Sequence, residues 1–503
     1  MSEDCAYLRF DAASRKPLES LGLSWSAIES IFLGPTPSTE APRFLPGCPK
    51  MGSWYQTREY HASQHTIMSI QNQAFTLRDP WTNATVEAAS ASALEPQDGR
   101  SYGFLPLVYA FGHGERSFWA ASCDLTGRIV YLFAPAQRLV VYEMNLKRAQ
   151  QLHSGLCDAL SRLDRERMRG ACEKSRKVIG LLDMVTNFGH QMINHLAGLD
   201  LLIDRGLADR LDEFWIAGSE FFGSVEELYP EIGNRVRKFS SRRELFAAVS
   251  ESNDLVVRLG ANFFFQTTRQ RILKAANSRY ASNPSAGRRP LIAVTIRGAG
   301  RCCENLAEVI THIYEDLRTD YPQIGFVVDG WVFREQEIVS ASSAATCLDA
   351  RYASAIKAEF AAAREAFKNV PTTAIARNLV GASILNSIVG LSDIDAYLAH
   401  VGTLQHKIAF FSLARGMVHG PISQMTNIEA GPFQAELGVA PLYPEPSMIE
   451  DIPTGSDRGA AFNNYRILDV AGVSRRIRMC LEASESSAPA REDIGRPGRQ
   501  AWA

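Results

Sequence analysis

No run of about 18 apolar residues occurs in the 503-residue chain, which argues against a membrane-spanning helix and leaves only peripheral membrane association open. Neither sign of charge is in excess. The 53 Lys and Arg stand against 55 Asp and Glu, a formal net charge of −2. No global field therefore favours nucleic acid, and any recognition of an anion must be local. The nine cysteines are scattered without a C-x-x-C pair, and Cys302 and Cys303 are adjacent, a spacing that suits neither a zinc site nor an ordinary disulfide. The odd count points to reduced thiols. Met1-Ser-Glu-Asp-Cys5 also lacks the basic segment and apolar run of a secretory leader. We expect a cytoplasmic protein. Two phosphate fingerprints are missing as well. Gly298 and Gly300 are followed by Cys303 where a dinucleotide fold carries its third Gly or Ala, and no Gly-Lys-Ser/Thr follows.

The composition is otherwise that of a globular protein, 46% hydrophobic and 21% charged, long enough for two or three domains. Residues 1–150 read as a β-containing region of unassigned role. Phe104–Phe111, Arg128–Phe133 and Leu139–Tyr142 are strand-like. An amphipathic helix follows, with Leu152, Leu156, Leu160 and Leu163 at helical spacing. Short apolar strands then alternate with helices over residues 151–285. The alternation restarts after the Pro/Gly-rich linker at 282–290 and continues over 286–480. This pattern predicts an α/β protein with two Rossmann-like domains facing a cleft. Residues 481–503, rich in Ser, Ala, Pro and charge, read as a disordered tail.

Three constellations sit where such folds bind ligands. Thr295-Ile-Arg297-Gly-Ala-Gly300-Arg301 follows a strand and precedes a helix. The glycines admit close approach of an anion, and two planar guanidiniums suit a diphosphate. His400-Val-Gly402-Thr403-Leu-Gln-His406-Lys407 sits at another strand end. There Gly402 makes the turn, Thr403 caps the next helix, and His406 and Lys407 occupy its first turn. Cations at a helix N-terminus break a local rule, and a bound phosphate would balance them. Asn187-Phe-Gly189-His190-Gln-Met-Ile-Asn194-His195 opens a long helix after a buried strand that ends at Asp183. His190 is the candidate general base and Asp183 the reserve. On a regular helix His195 points about 140° away from His190, so the two do not share a metal. Asp329 and Trp331, at a strand end, are weaker candidates for contacts to a base or sugar. Asp393-Ile-Asp395 matches a short metal motif but starts a strand, and His61-x-x-x-His65 has no evident third ligand. No metal and no separate cofactor are expected.

In order, N-x-G-H at a helix start, T-I-R-x-x-x-R after a strand and a late G-T-x-x-x-K resemble the capsular-polysaccharide and xylosyl-type glycosyltransferases, the family 61-like group. The resemblance covers about residues 175–425. It implies a GT-B-like fold and a metal-independent, inverting transfer from a nucleotide-sugar donor to a glycan or other hydroxyl acceptor. It places Asn187, Gly189 and His190 on the acceptor side, and Arg297, Arg301, Gly402, Thr403 and Lys407 on the donor side. Two readings compete with it. One is a non-catalytic glycan- or nucleotide-binding protein of the same fold; the other is a different Rossmann-type nucleotide-sugar enzyme.

Overall fold

The computed structural model describes residues 5–34, 64–94, 106–112, 116–162, 177–184, 187–252, 254–261, 266–280, 287–335, 350–425, 434, 439–454 and 463–486. These fall into two compact units. The first holds residues up to Ser219 together with Val225–Thr268, and the second holds Glu220–Ser224 together with the chain from Arg269 on. The strands read within residues 1–150 and those of the first α/β stretch thus share one unit. No helix among the described residues is long and apolar enough to cross a membrane.

The first unit carries two sheets. Strands β1 (Ala6–Arg9), β2 (Thr76–Arg78), β3 (Thr85–Ala93), β4 (Leu107–Phe111), β5 (Phe118–Ser122), β6 (Ile129–Ala134) and β7 (Leu139–Tyr142) order as β1-β7-β6-β5-β4-β3-β2. All pairs are antiparallel except β1 with β7. The helix Leu146–Arg162 buries Leu152 and Leu156 against this sheet's core; Leu163 lies outside the described residues. The second sheet is wholly parallel. It orders β8 (Val178–Met184), β9 (Glu213–Gly218), β10 (Val236–Phe239) and β11 (Leu255–Arg258) as β10-β9-β8-β11. Side chains tie the two sheets through β11. Tyr109 Oη donates to the Val256 carbonyl at 3.0 Å, and Thr66 Oγ1 donates to that of Arg258 at 3.1 Å.

The second unit holds the five-stranded sheet β14-β13-β12-β15-β16, again all parallel. Its strands are β12 (Leu291–Thr295), β13 (Gly325–Asp329), β14 (Ile375–Asn378), β15 (Ala396–His400) and β16 (Arg415–His419). Alternation sorts its residues onto two faces. Ile292, Val294, Phe326, Val328 and Leu398 join one core with residues of the helices Leu306–Leu317, Ala350–Ala366 and Val470–Ser486. Leu291, Ala293, Val327, Tyr397 and Val418 join the other, with Leu391 and Ile408 from Ile384–Leu391 and Thr403–Phe411. Apolar residues on both faces explain why these strands read as continuous hydrophobic runs. The hairpin β17 (Ile449–Ile452) and β18 (Asn464–Ile467) completes the unit.

Two expectations change. The helix Val470–Ser486 runs into the segment read as a tail, because Leu481 and Ser484 are buried; residues 487–503 lie outside those described. Strand β15 starts at Ala396 rather than Ile394. The two acids before it are held by arginines: Asp393 pairs with Arg377, and Asp395 with Arg289 at 2.8 Å. The Asp-x-Asp motif is thus a structural anchor at the start of the strand.

Tyr109 stacks on Phe75 with ring centroids 3.8 Å apart and is 1% exposed. Tyr109→Phe should cost about 1 kcal/mol for the lost hydrogen bond, and Tyr109→Ala about 3–5 kcal/mol for the lost ring. Equal losses in urea melts would mean that the ring packing contributes nothing beyond the hydroxyl.

Candidate functional site

In the five-stranded sheet the chain lays down β12, steps to β13 and β14 on one side, then crosses to β15 on the other. Order reverses between β12 and β15, and ligands of open parallel sheets bind beyond the strand ends at such a point. The first two sequence constellations are the loops that leave these two strands. The strand ends are locked together. The His400 main-chain N–H donates to Thr295 Oγ1 at 2.7 Å, and His400 Nδ1 donates to the Thr295 carbonyl at 2.9 Å. Thr295 is fully buried in this contact. It fastens strands and does not face a ligand.

Beyond Thr295 the loop turns through Gly300 (φ +61°) and Arg301 (φ +57°). The Arg297 guanidinium donates to the Gly300 carbonyl at 3.3 Å. Gly298 lies so close to the helix Ala350–Ala366 that a Cβ there would stand 2.6 Å from the Glu359 main-chain nitrogen. After β15, Gly402 turns at φ +99°, and a Cβ on it would meet Arg301 Nη1 at 3.4 Å. The two loops therefore meet at Arg301. Gly402 itself caps the helix Thr403–Phe411, whose N-terminus has no side-chain cap. Thr403 is the first helical residue and not the cap, because the left-handed turn at Gly402 already redirects the chain.

Burial, then Arg297, pull Arg301 down to about 10, and burial lowers Arg297 as well. Placing half-buried Arg301 by Arg297 thus carries an electrostatic cost that an anion beside them would relieve. Burial pushes the Glu359 carboxyl up to about 7, against the Gly298 N–H and Arg297, which pull it down. Glu359 sits in an Ala-rich helix, where nothing in the sequence distinguishes it from a solvated charge.

Lys407 is closed into an ion pair in the same neighbourhood, where Glu359 acts on it as well as on Arg297. The Lys407 Nζ is fully buried and donates to Asp329 Oδ1 at 2.6 Å, and Ser387 Oγ donates to the same oxygen at 2.9 Å. Burial lowers the lysine and Asp329 raises it. The cation at the helix N-terminus is balanced by a carboxylate of the protein, from a strand 78 residues earlier. His406 is buried beside Phe410. Trp331 packs edge-on against Phe333 at 4.7 Å. Next to β15, His419 faces His400 with ring centroids 4.4 Å apart and bonds Tyr465 through Nδ1 at 2.6 Å.

The parallel sheet of the first unit repeats the reversal, between β8 and β11. Asp183, buried at the end of β8, pairs with Arg242 at 2.7 Å and lies 3.9 Å from Arg258 at the end of β11. The sequence reading missed both arginines. Arg258 closes an otherwise apolar strand, which was the available signal. Asn187 Oδ1 accepts from the main-chain N–H groups of Gly189 (2.9 Å) and His190 (3.3 Å), which caps the helix. His190 is exposed, and Gly189 is buried beneath it. The helix is not regular: Gln191–Leu196 form a π-helical ring. With i→i+5 bonds the turn is wider than that of an α-helix, so the roughly 140° expected of a regular helix does not apply to His190 and His195, yet the first is exposed and the second buried. His195 is fully buried, and burial first, with Arg258, His190 and Arg242 adding to it, holds it down to about 3. Among the described residues, no group of three or more His, Cys, Asp or Glu could hold a metal ion. His65 is buried, and His61 lies outside the described residues.

The chain matches no protein-family model and no curated protein. Each unit is therefore read from its own chemistry: a pair of guanidiniums at the reversal point of the second, and an exposed imidazole and a buried ion pair at that of the first.

His195 and His419 are both held down to about 3 by burial. Their unfolded value lies near 6.5. Below it the unfolded chain takes up protons that the native histidines refuse, so their contribution is full above about pH 6.5 and is lost as pH falls towards 3. Each should lower stability by up to about 1.4 kcal/mol per pH unit in that window. Urea midpoints that stay level from pH 7 to pH 5 would contradict the burial of neutral rings.

Proposed function

We propose that the protein is a glycosyltransferase that moves a sugar from a nucleotide-diphosphate donor to a glycan or other hydroxyl acceptor. One observation carries the reading most of the way. The Arg297–Arg301 loop and the Gly402 turn flank the reversal point of one parallel sheet and meet at the Arg301 guanidinium. A diphosphate there would offset the lowering of Arg301 by Arg297, and bidentate geometry suits its paired oxygens. As the acceptor oxygen bonds to the anomeric carbon, the bond from that carbon to the diphosphate breaks. The electron pair leaves with the phosphate, whose growing charge Arg297 and Arg301 stabilise. The acceptor's proton passes to His190 in this scheme. Asp183, buried and paired with Arg242, serves to hold arginines. Lys407 orders the site through Asp329 and does not touch the phosphate.

Ligands that bind the native state raise its apparent stability. A panel of sugar nucleotides should therefore shift the melting temperature of the wild type, and Arg297→Ala should abolish the shift. His190→Ala should keep the shift and lose transfer. An Arg297→Ala protein that binds and turns over donor normally would remove the assignment.

Glu359, raised to about 7 beside Arg297, adds a pH dependence. Above that value its carboxylate is charged and competes with the phosphate for Arg297, so affinity should fall as pH rises through 7. Glu359→Gln should flatten the profile. A titration of nucleotide affinity from pH 6 to pH 8 that is level in the wild type would remove Glu359 from the site.

A further inference from the structure

We infer that Asn194 is a positioning residue that places the proton of His190 on Nδ1 and leaves Nε2 bare to receive the proton of an acceptor hydroxyl. The inference rests on the reading of His190 as the base. The hydrogen-bond inventory forces it. Asn194 is 3% exposed, and its Nδ2 donates to the Ala261 carbonyl at 2.7 Å. The Ala261 N–H in turn donates to the Asn194 main-chain oxygen at 3.1 Å. A carbonyl oxygen only accepts, so the amide can sit only one way round, with Oδ1 towards His190. Oδ1 carries no proton. Its 3.1 Å contact with His190 Nδ1 is therefore a hydrogen bond only when Nδ1 carries one. In the neutral ring the lone pair is then on Nε2.

The fold holds this arrangement from below. The imidazole is exposed and the amide buried, so the movable group is clamped by a fixed one. Asn187 holds the main chain of the same turn through Gly189 and His190. Asn194 lies within the π-helical ring Gln191–Leu196, an irregularity of the kind found at functional sites. A side chain that fixes the far nitrogen of a working histidine sets both its tautomer and its ring orientation.

Histidine-selective 15N NMR reads the tautomer directly, with the His190 signal assigned by its loss in His190→Gln. In the wild type with the ring neutral, Nδ1 should be protonated and Nε2 bare, the reverse of the form that predominates in free histidine. Folded Asn194→Ala should revert to the Nε2–H form. It should also lose about 10- to 100-fold in kcat, with little change in KM for the donor. If Asn194→Ala does not fold, the wild-type spectrum alone decides. An Nε2–H ring in the wild type, or an unchanged tautomer in folded Asn194→Ala, would overturn the inference. A bare Nε2 in a protein that transfers no sugar from any donor would retire the transferase reading and leave the clamp standing.

Discussion

Thr295 and His400 join the two strands between which the parallel sheet of the second unit reverses its order. Two hydrogen bonds, both to atoms of Thr295, set the spacing and level of those strand ends. Everything proposed for that unit hangs from them. The arginine loop leaves β12 two residues beyond Thr295, and the glycine turn leaves β15 two residues beyond His400. Without that fastening the Arg301 guanidinium would have no reason to lie against Gly402. A reversal of strand order opens a crevice, but only a fixed spacing turns it into a site for one ligand geometry.

Charge is placed around this frame in two ways. Lys407 and Asp329 are fully buried and paired at 2.6 Å. Removing either one would leave an uncompensated buried charge, at about 3–5 kcal/mol. Such a pair is a structural element, closed to ligands. Arg297 and Arg301 are half-buried; burial weakens the protonation of both, and Arg297 weakens that of Arg301 further. Their arrangement costs energy in the free protein and gains it with an anion, as preorganised sites do. The same residue class near a helix start thus serves opposite purposes, and full burial in a direct ion pair sets Lys407 apart from the two arginines.

Much of this was readable from the chain alone. The runs Arg128–Phe133 and Leu139–Tyr142 fall on β6 and β7 to within a residue, because strands buried along their whole length have no alternation to misread. The Arg297–Arg301 loop was legible as strand, glycines and fixed cations in sequence. What escaped depends on long separations or on backbone detail. Lys407 finds Asp329 across 78 residues; Asp183 finds Arg242 and Arg258 across the strand ends of another sheet. The π-helical ring at Gln191–Leu196 leaves no mark that an α-helix would not. Gly402 displaced Thr403 as the cap because the turn geometry took precedence over side-chain preference.

The two parallel sheets reverse alike, each stepping twice to one side of its first strand before crossing to the other. Their reversal points are furnished differently. In the second unit the polar groups are half-buried cations, which fits the binding of a charged ligand. In the first, the charges are closed on one another around buried Asp183, and the group left exposed above them is His190, whose proton is placed by a buried amide. A site for a neutral hydroxyl needs no free cation; it needs an oriented acceptor for one proton. The second unit thus offers cations to an anion, and the first an oriented acceptor for one proton, which are the two roles that the proposed transfer requires.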